Sequence, residues 1–379
     1  MNALRILFIH PHHIDYPGGG EKWIVEVSKR LRDRGYEISV LYVKYRPCKI
    51  CVANSRELKA HGIKLRVCRY MKLPRGFPII DLGCVLRYAR SYDAIYVMAY
   101  PPNELLLEKL KKFMATPLIA GFHSPLEPWR MFLHKLYMPL YIDAYRTFDA
   151  LHVLNRTLYN IFTRHYGIDK NKVYLIPNGI DVSKYYVEAN NEKFRILWTG
   201  RLHSEKGADI LCKIITEFNR KYSHLRNDVE FVITGTGPYE KHVRTLTKLY
   251  NNVRYLGYVN NSILRKNYAI SHIYLAPSKS EGMPLRVLEA MASGLPVIGS
   301  MIPGIQDIVI NGITGKLVKV SDSEGFCKAI LWYYNLWRRS PEKFHRLRLS
   351  IRAHTVDNYD WNNIINKIEK MFMKTKSKN

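Results

Sequence analysis

Two carboxylates and two cations in this sequence fall where apolar runs begin and end, which is where chemistry is usually placed. Glu281 and Glu289 lie in Pro277-Ser-Lys-Ser-Glu281-Gly-Met-Pro-Leu-Arg-Val-Leu-Glu289-Ala-Met-Ala-Ser-Gly294-Leu-Pro296-Val. The apolar run before Pro277 predicts a strand, and the segment from about Pro284 to Ser293 predicts a helix. A proline in the first helical turn sacrifices no hydrogen bond. The helix start offers free N–H groups and the positive end of the helix dipole, a seat for a diphosphate. Glu281 stands before that helix and Glu289 more than a turn inside it. The two can therefore grip different parts of one hydroxyl-rich ligand, each accepting paired hydrogen bonds from vicinal OH groups. Arg201 and Lys206 lie in Thr199-Gly200-Arg201-Leu-His-Ser-Glu-Lys206-Gly207, at a strand end and a helix start. Arginine forks onto phosphate oxygens and lysine adds a point charge. Two glutamates at this spacing arise by chance in most proteins, and an isolated Arg–Lys pair is usually a solvated surface. The strings as wholes are what carry meaning.

The first half holds two weaker stations. Gly18-Gly19-Gly20-Glu21 follows a short apolar run and precedes a helical pattern, so its glycines can bring backbone close to a ligand. His123, in Gly121-Phe122-His123-Ser124, sits just past another apolar run; a lone histidine among fourteen is more often structural. His10, His12 and His13 cluster near a strand end, a pattern that would also suit a metal. The six cysteines, Cys48, Cys51, Cys68, Cys84, Cys212 and Cys327, have spacings too loose for a zinc knuckle. With no export signal they are expected to be reduced thiols, a metal or disulfide being the alternative.

The elements that must position these residues alternate. LRILFI (4–9) reads as a buried parallel strand, a helix runs from Glu21 to about Arg34, and EISVLYV (37–43) is the next strand. Further strands are expected at 94–98, 117–120 and 150–154. After residue 190 the series restarts: strands at 194–200, 229–235, 252–257, 272–277 and 296–300, with helices near 207–220 and 239–250. Repeated strand–helix alternation implies parallel sheets covered on both faces. Two such series imply two Rossmann-like domains. The polar stretch Val182–Lys193 reads as the linker.

In their full strings these segments resemble retaining glycosyltransferases of the family 4-like group. The Glu281 segment is similar to that group's E-x7-E region with its sequel of small residues, Gly and Pro-Val. The Arg201 segment is similar to its G-R…K-G element, and Gly18-Gly19-Gly20-Glu21 to its G-G-x-E loop. Smaller matches extend the likeness over nearly the whole chain: Leu175-Ile-Pro-Asn-Gly-Ile-Asp181, Gly235-Thr-Gly-Pro238 with Asn252–Val259, Pro303-Gly-Ile-Gln-Asp with Asn311–Gly315 (a loop and hairpin), and Tyr359-Asp-Trp361. The resemblance implies an α/β fold of two Rossmann-like domains facing across a cleft (GT-B). The N-terminal domain would span 1–182 plus a crossing-back helix at 356–379, and the donor-binding domain 190–355. It implies catalytic roles for His123, Glu281, Arg201 and Lys206. Donor-binding roles fall to Gly18, Gly19, Gly200, Tyr258, Val259, Gly282, Met283, Leu285 and Glu289, with Glu281 on the transferred sugar and Glu289 on the ribose. Arg201 and Lys206 would neutralise the donor diphosphate, so neither a metal nor a cofactor beyond the nucleotide-sugar co-substrate is expected. The chain departs from the common E-G-F-G at Pro284, which removes one amide.

Composition adds a question of place. The 379 residues carry 59 Lys and Arg against 32 Asp and Glu, a formal +27 shared by both halves. Such a field attracts polyanions: nucleic acid, an anionic membrane or phosphorylated substrates. No aromatic–basic platform or recognition helix supports nucleic acid. No run approaches the ~20 apolar residues of a membrane span, and the N-terminus lacks a signal-peptide pattern. Residues 44–75 hold ten basic side chains (Lys44, Arg46, Lys49, Arg56, Lys59, Lys64, Arg66, Arg69, Lys72, Arg75) and one acid, Glu57, with Ile50, Val52, Leu58, Ile63 and Leu65 interleaved. The expectation is a cytoplasmic enzyme, peripheral on the inner face of a membrane, with a glycan or lipid-linked acceptor. An inactive scaffold, a nucleic-acid-binding protein, and a phosphorylase or epimerase of the same fold are the competing readings.

Overall fold

The computed structural model describes residues 4–16, 18–44, 51–72, 78–100, 102–123, 141–188 and 192–377, Lys72 by its backbone alone. The chain divides into two compact units, Met1–Asn178 with Ile364–Asn379, and Gly179–Asn363. The changeover therefore falls at residue 178, before the polar stretch read as the linker. The return falls inside the final helix, Trp361–Lys376.

The first unit holds a seven-stranded parallel sheet. Its chain contributes strands β1 Arg5–His10, β2 Glu37–Val43, β3 Lys64–Cys68, β4 Tyr70–Lys72, β5 Pro78–Ile80, β6 Ala94–Met98, β7 Leu118–Phe122, β8 Ala150–Val153 and β9 Val173–Leu175. The sheet order is β3-β2-β1-β6-β7-β8-β9, with β4 and β5 forming a separate antiparallel pair. Ile6 through Ile9 are fully buried, as expected of a central parallel strand covered on both faces. The helix Gly19–Asp33 buries Trp23, Ile24, Val27 and Leu31 along one stripe. Phe372 of the final helix packs on Phe8 at 6.1 Å, and Glu369 binds Arg34 and Tyr36 at 2.6 Å each.

One expectation fails in this unit. Cys68 and Cys84 form a disulfide, Cα atoms 5.9 Å apart, instead of reduced thiols. The β4–β5 pair returns the chain so that the helix Leu82–Ala89 brings Cys84 to the end of β3. Closing that short loop is worth roughly 3 kcal/mol in the chain-entropy picture. Cys51 is also disulfide-bonded, Cys48 lies outside the described residues, and Cys212 and Cys327 are free. Within the basic stretch, the interleaved Leu58 and Ile63 are core residues at 0% and 3% exposure.

The second unit holds β10 Phe194–Thr199, β11 Val229–Thr234, β12 Val253–Tyr255, β13 Ile273–Ala276, β14 Val297–Ser300 and β15 Gly315–Val318, all parallel, in the order β12-β11-β10-β13-β14-β15. This is the doubly wound order, which reverses between β10 and β13. The segment read as a hairpin instead feeds β15, which pairs parallel with β14. Open sheets of this kind bind ligands beyond the carboxyl ends of the strands at that reversal. In the first unit the same reversal lies between β1 and β6.

Candidate active site

In the second unit the reversal brings together the two strings that carry the carboxylates and cations. Strand β10 ends at Thr199, whose carbonyl accepts from the Tyr274 hydroxyl at 3.0 Å. The chain then passes Gly200 and Arg201 into a tight turn, Ser204–Lys206, and the helix Ala208–Lys221. Gly207 joins turn to helix at φ +70°, and a Cβ there would lie 2.0 Å from the Pro277 carbonyl. Only glycine allows both the left-handed backbone and that approach. The loop following β13 is thereby held against the Lys206 turn. Lys279 completes the join: its amide donates to the Glu205 carbonyl at 2.9 Å, and its ammonium reaches Ser204 and Asp209 at 2.8 and 2.7 Å.

The consequence is an ion pair between residues far apart in sequence. Lys206 Nζ donates to Glu281 Oε2 at 2.7 Å, and Ser278 Oγ donates to Oε1 at 3.0 Å. The Glu281 side chain is 11% exposed and that of Lys206 29%. Behind them Gly304 approaches so closely that a Cβ would sit 2.3 Å from the Glu281 carbonyl and 2.6 Å from that of Gly282. The helix Leu285–Ala292 starts immediately after, Pro284 being its extended N-cap residue (φ −73°, ψ 114°), one position earlier than expected. The Val287 and Leu288 amides donate back to the Pro284 carbonyl at 3.1 and 3.4 Å, and the amides of Leu285 and Arg286 before them come too early in the helix for an i−4 partner.

Other expected residues are placed less uniformly. Arg201 stands apart, its side chain 67% exposed and its nearest carboxylate Glu205 at 4.0 Å. Glu289 is 2% exposed and accepts from Arg286 Nη1 at 2.7 Å and the Tyr268 hydroxyl at 3.1 Å on Oε2. Burial first, and Glu289 second, push the Tyr268 and Tyr185 phenols up, so both remain donors. Glu289 is thus the centre of a buried network, not an open grip. Tyr258 is 77% exposed beyond β12, whereas Met283 is buried at 7%. Gly200, Val259 and Leu285 are half-buried and Gly282 is buried.

In the first unit, Gly18 caps the helix Gly19–Asp33, and Gly19 is exposed as its first residue. A Cβ on Gly18 would lie 2.1 Å from Glu21 Oε2, so glycine is required for that carboxylate to fold back. Glu21 is buried and meets His10 Nε2 at 2.9 Å, at the end of β1. His123 follows β7 and its Nε2 lies 2.8 Å from the Tyr96 hydroxyl, which lies 2.6 Å from His152 Nδ1. Trp23 covers them, 4.5 Å from the His123 ring and 5.0 Å from that of Tyr96. Sequence reasoning missed Tyr96 and His152, which read as ordinary strand residues, and it gave no role to Ser278 or Lys279 and no pairing to His10 with Glu21 until the fold joined them.

Two doubly wound units, with a lysine–carboxylate pair beside a helix start at one switch point, define a GT-B glycosyltransferase. The chain belongs to the family 4-like glycosyltransferases: a Glycosyltransferase Family 4 model matches residues 17–184, and a Glycosyl transferases group 1 model matches residues 193–335. The phosphatidyl-myo-inositol mannosyltransferase of Mycolicibacterium smegmatis is 22% identical, over 97% of this chain and 93% of its own. One polypeptide of the human phosphatidylinositol N-acetylglucosaminyltransferase is 28% identical, over 53% of this chain and 40% of its own. Among solved structures, Anabaena HepE in complex with UDP and glucose is similar with a TM-score of 0.75 and 20% identity, covering 98% of this chain and 100% of that one.

Proposed function

We propose that this glycosyltransferase moves a sugar from a nucleoside-diphosphate sugar to a glycan or lipid-linked acceptor, with retention and without a divalent metal. The observation that carries the reading is the Lys206–Glu281 pair beside the start of the helix Leu285–Ala292. A carboxylate suits sugar hydroxyls, and a lysine with free helix amides suits a diphosphate. As the glycosidic bond breaks, Lys206, the exposed Arg201 and the helix start stabilise charge growing on the departing diphosphate. That is the service a metal performs in other transferases, so no cofactor is assigned. Departure and attack take place on one face through an oxocarbenium-like state, with the diphosphate taking the acceptor proton. His123 serves the reacting groups, and the ribose contact of Glu289 requires its buried network to open.

UDP and glucose in HepE, and lipid acceptors in the names of the two relatives, support this choice of donor and acceptor classes. No helix among the described residues is long and apolar enough to cross a membrane. We assign the enzyme to the surface of an anionic membrane, bound peripherally. The test is a panel of UDP-, GDP- and ADP-sugars read first as protection against heat. The best donor is then used with lipid and glycan acceptors, and the product's anomeric configuration is read by NMR. Turnover in EDTA equal to that without it supports the reading; loss in EDTA restored by Mn²⁺ or Mg²⁺, or an inverted product, overturns it.

A further inference from the structure

We propose that Tyr96 and His152 are positioning residues that fix the tautomer of His123, keeping its proton on Nε2 and leaving Nδ1 as a bare acceptor. The chain of contacts allows only one assignment of protons. It ends on the Ile176 carbonyl, which can only accept, so His152 Nε2, 2.8 Å away, donates. His152 is fully buried, and burial pushes its pKa down to about 4, so it is neutral and carries that one proton. Its Nδ1 therefore presents a lone pair, and Tyr96 spends its single hydroxyl proton there at 2.6 Å. The Tyr96 oxygen is left as an acceptor facing His123 Nε2 at 2.8 Å. Burial also holds His123 far below the usual histidine range, with His152 and His10 adding to the effect, so it too is neutral. Its one proton goes to Tyr96. Nδ1 has no partner among the described residues.

A second observation shows that the fold is arranged for this. Tyr96 is on β6 and His152 on β8, with β7 between them, and Gly121 of β7 pairs directly with His152. A Cβ on Gly121 would lie 1.8 Å from the Tyr96 oxygen. The glycine of Gly121-Phe-His123 is therefore the gap through which the phenol crosses one strand to reach both imidazoles. Trp23 stacks on the Tyr96 ring and Phe372 packs against it at 6.2 Å, which fixes the hydroxyl. A bare Nδ1 suits a hydroxyl donor, such as an OH of a sugar or acceptor, and excludes a role for His123 as a proton donor at that atom. This last step rests on His123 serving the reacting groups; the tautomer itself does not.

The experiment is ¹⁵N and ¹³C NMR of histidine-labelled protein, with the His123 signals assigned by their loss in His123→Ala. Wild type should show His123 as the Nε2–H tautomer across neutral pH. In Tyr96→Phe the preference should be lost, giving a mixture. In His152→Phe the Tyr96 proton is released to His123 Nε2, and the tautomer should invert to Nδ1–H. Turnover in Tyr96→Phe should fall about tenfold with donor KM within about twofold. An Nδ1–H form in wild type, or the same tautomer in wild type and every folded variant, overturns the proposal. Full activity in His123→Ala would remove the catalytic reading and leave the tautomer assignment standing.

Discussion

Lys206 and Glu281, 2.7 Å apart, hold each other across two loops that the chain visits 75 residues apart. A donor that uses both must enter their ion pair, taking the ammonium by its diphosphate and the carboxylate by its hydroxyls. Glu281→Gln keeps the shape and one hydrogen-bond acceptor but loses the charge. Turnover should drop on the order of tenfold to a thousandfold, with the melting temperature little changed. Lys206→Ala should raise the donor KM and the Kd for nucleoside diphosphate roughly tenfold or more. Arg201→Ala should weaken nucleoside-diphosphate binding by less than Lys206→Ala does, since its guanidinium is two-thirds exposed. Kinetics and calorimetric titration check all three, and wild-type rates in Glu281→Gln would remove the assignment.

Gly207 offers a separate test of how that pair is positioned. Alanine there meets both a left-handed backbone at φ +70° and the Pro277 carbonyl at 2.0 Å. Strain of this kind amounts to about 1–3 kcal/mol before the clash is added. Gly207→Ala should lower the midpoint of unfolding and also weaken nucleotide binding, because the loops bearing Lys206 and Glu281 must separate. Gly167→Ala, at φ +63° with open space around it, should carry the strain alone and leave nucleotide binding unchanged. Equal binding losses in the two variants would show that Gly207 has no special link to the site.

Glu104 gives the fold a pH signature. Both its oxygens are buried without a hydrogen-bond partner, and burial pushes its pKa from 4.5 up to about 8. Between those values the unfolded chain is ionised and the native one still holds its proton, so the native state binds more protons. Stability must therefore fall as pH rises from about 4.5 to 8, by up to roughly 1.4 kcal/mol per pH unit from this group. His152, with its pKa lowered to about 4, acts on the other side: stability falls as pH drops from 6.5 toward 4. Glu104→Gln should flatten the fall between about 6.5 and 8 and expose a rise of stability with pH between 4.5 and 6.5, where Glu104 and His152 oppose each other. Urea unfolding across pH 4.5–8.5 measures both, and an unchanged slope in the variant would exclude Glu104 as its source.

What the sequence disclosed depended on whether a residue's neighbours in space were also its neighbours in the chain. Gly200-Arg201 and Lys206-Gly207 could be read because strand end, turn and helix start are consecutive. The Tyr96–His152–Ile176 chain was invisible, since each member looks like core of its own strand and only the register of β6, β7 and β8 joins them. Strand β3 was missed because it lies at the edge of its sheet, where charges such as Lys64 replace an apolar run. Glu289 was read as open from its helical offset. That offset says which face it occupies, but not that Tyr268, Tyr185 and Arg286 cover that face. Cys68 and Cys84 were read as thiols because nothing local reports the β4–β5 return that unites them.

The basic stretch of the first unit leads to the last prediction. Arg46, Lys49, Ile50 and Arg75 lie outside the described residues. Among the rest, Lys44, Arg56, Lys59, Lys64 and Arg69 are exposed, and so are Val52 at 38%, Val67 at 51% and Met71 at 61%. The one acid, Glu57, is taken by Lys29 at 2.5 Å and neutralises none of them. Arg66 is half-buried over the Tyr88 ring at 5.2 Å and is less available. Cations near an anionic leaflet contribute about 1 kcal/mol each, decaying within a Debye length, so the exposed set suffices for reversible attachment. Sedimentation with vesicles should show binding that requires anionic lipid and weakens steeply between about 50 and 300 mM salt. Changing Arg56, Lys59, Lys64 and Arg69 together to Ser should abolish most of it and leave turnover of a water-soluble acceptor analogue intact. Val67→Ser with Met71→Ser should weaken binding without altering its salt dependence, since those side chains act by burial, not charge. Equal recovery on neutral and anionic vesicles would show that the basic stretch does not direct attachment and leave its charge without this use.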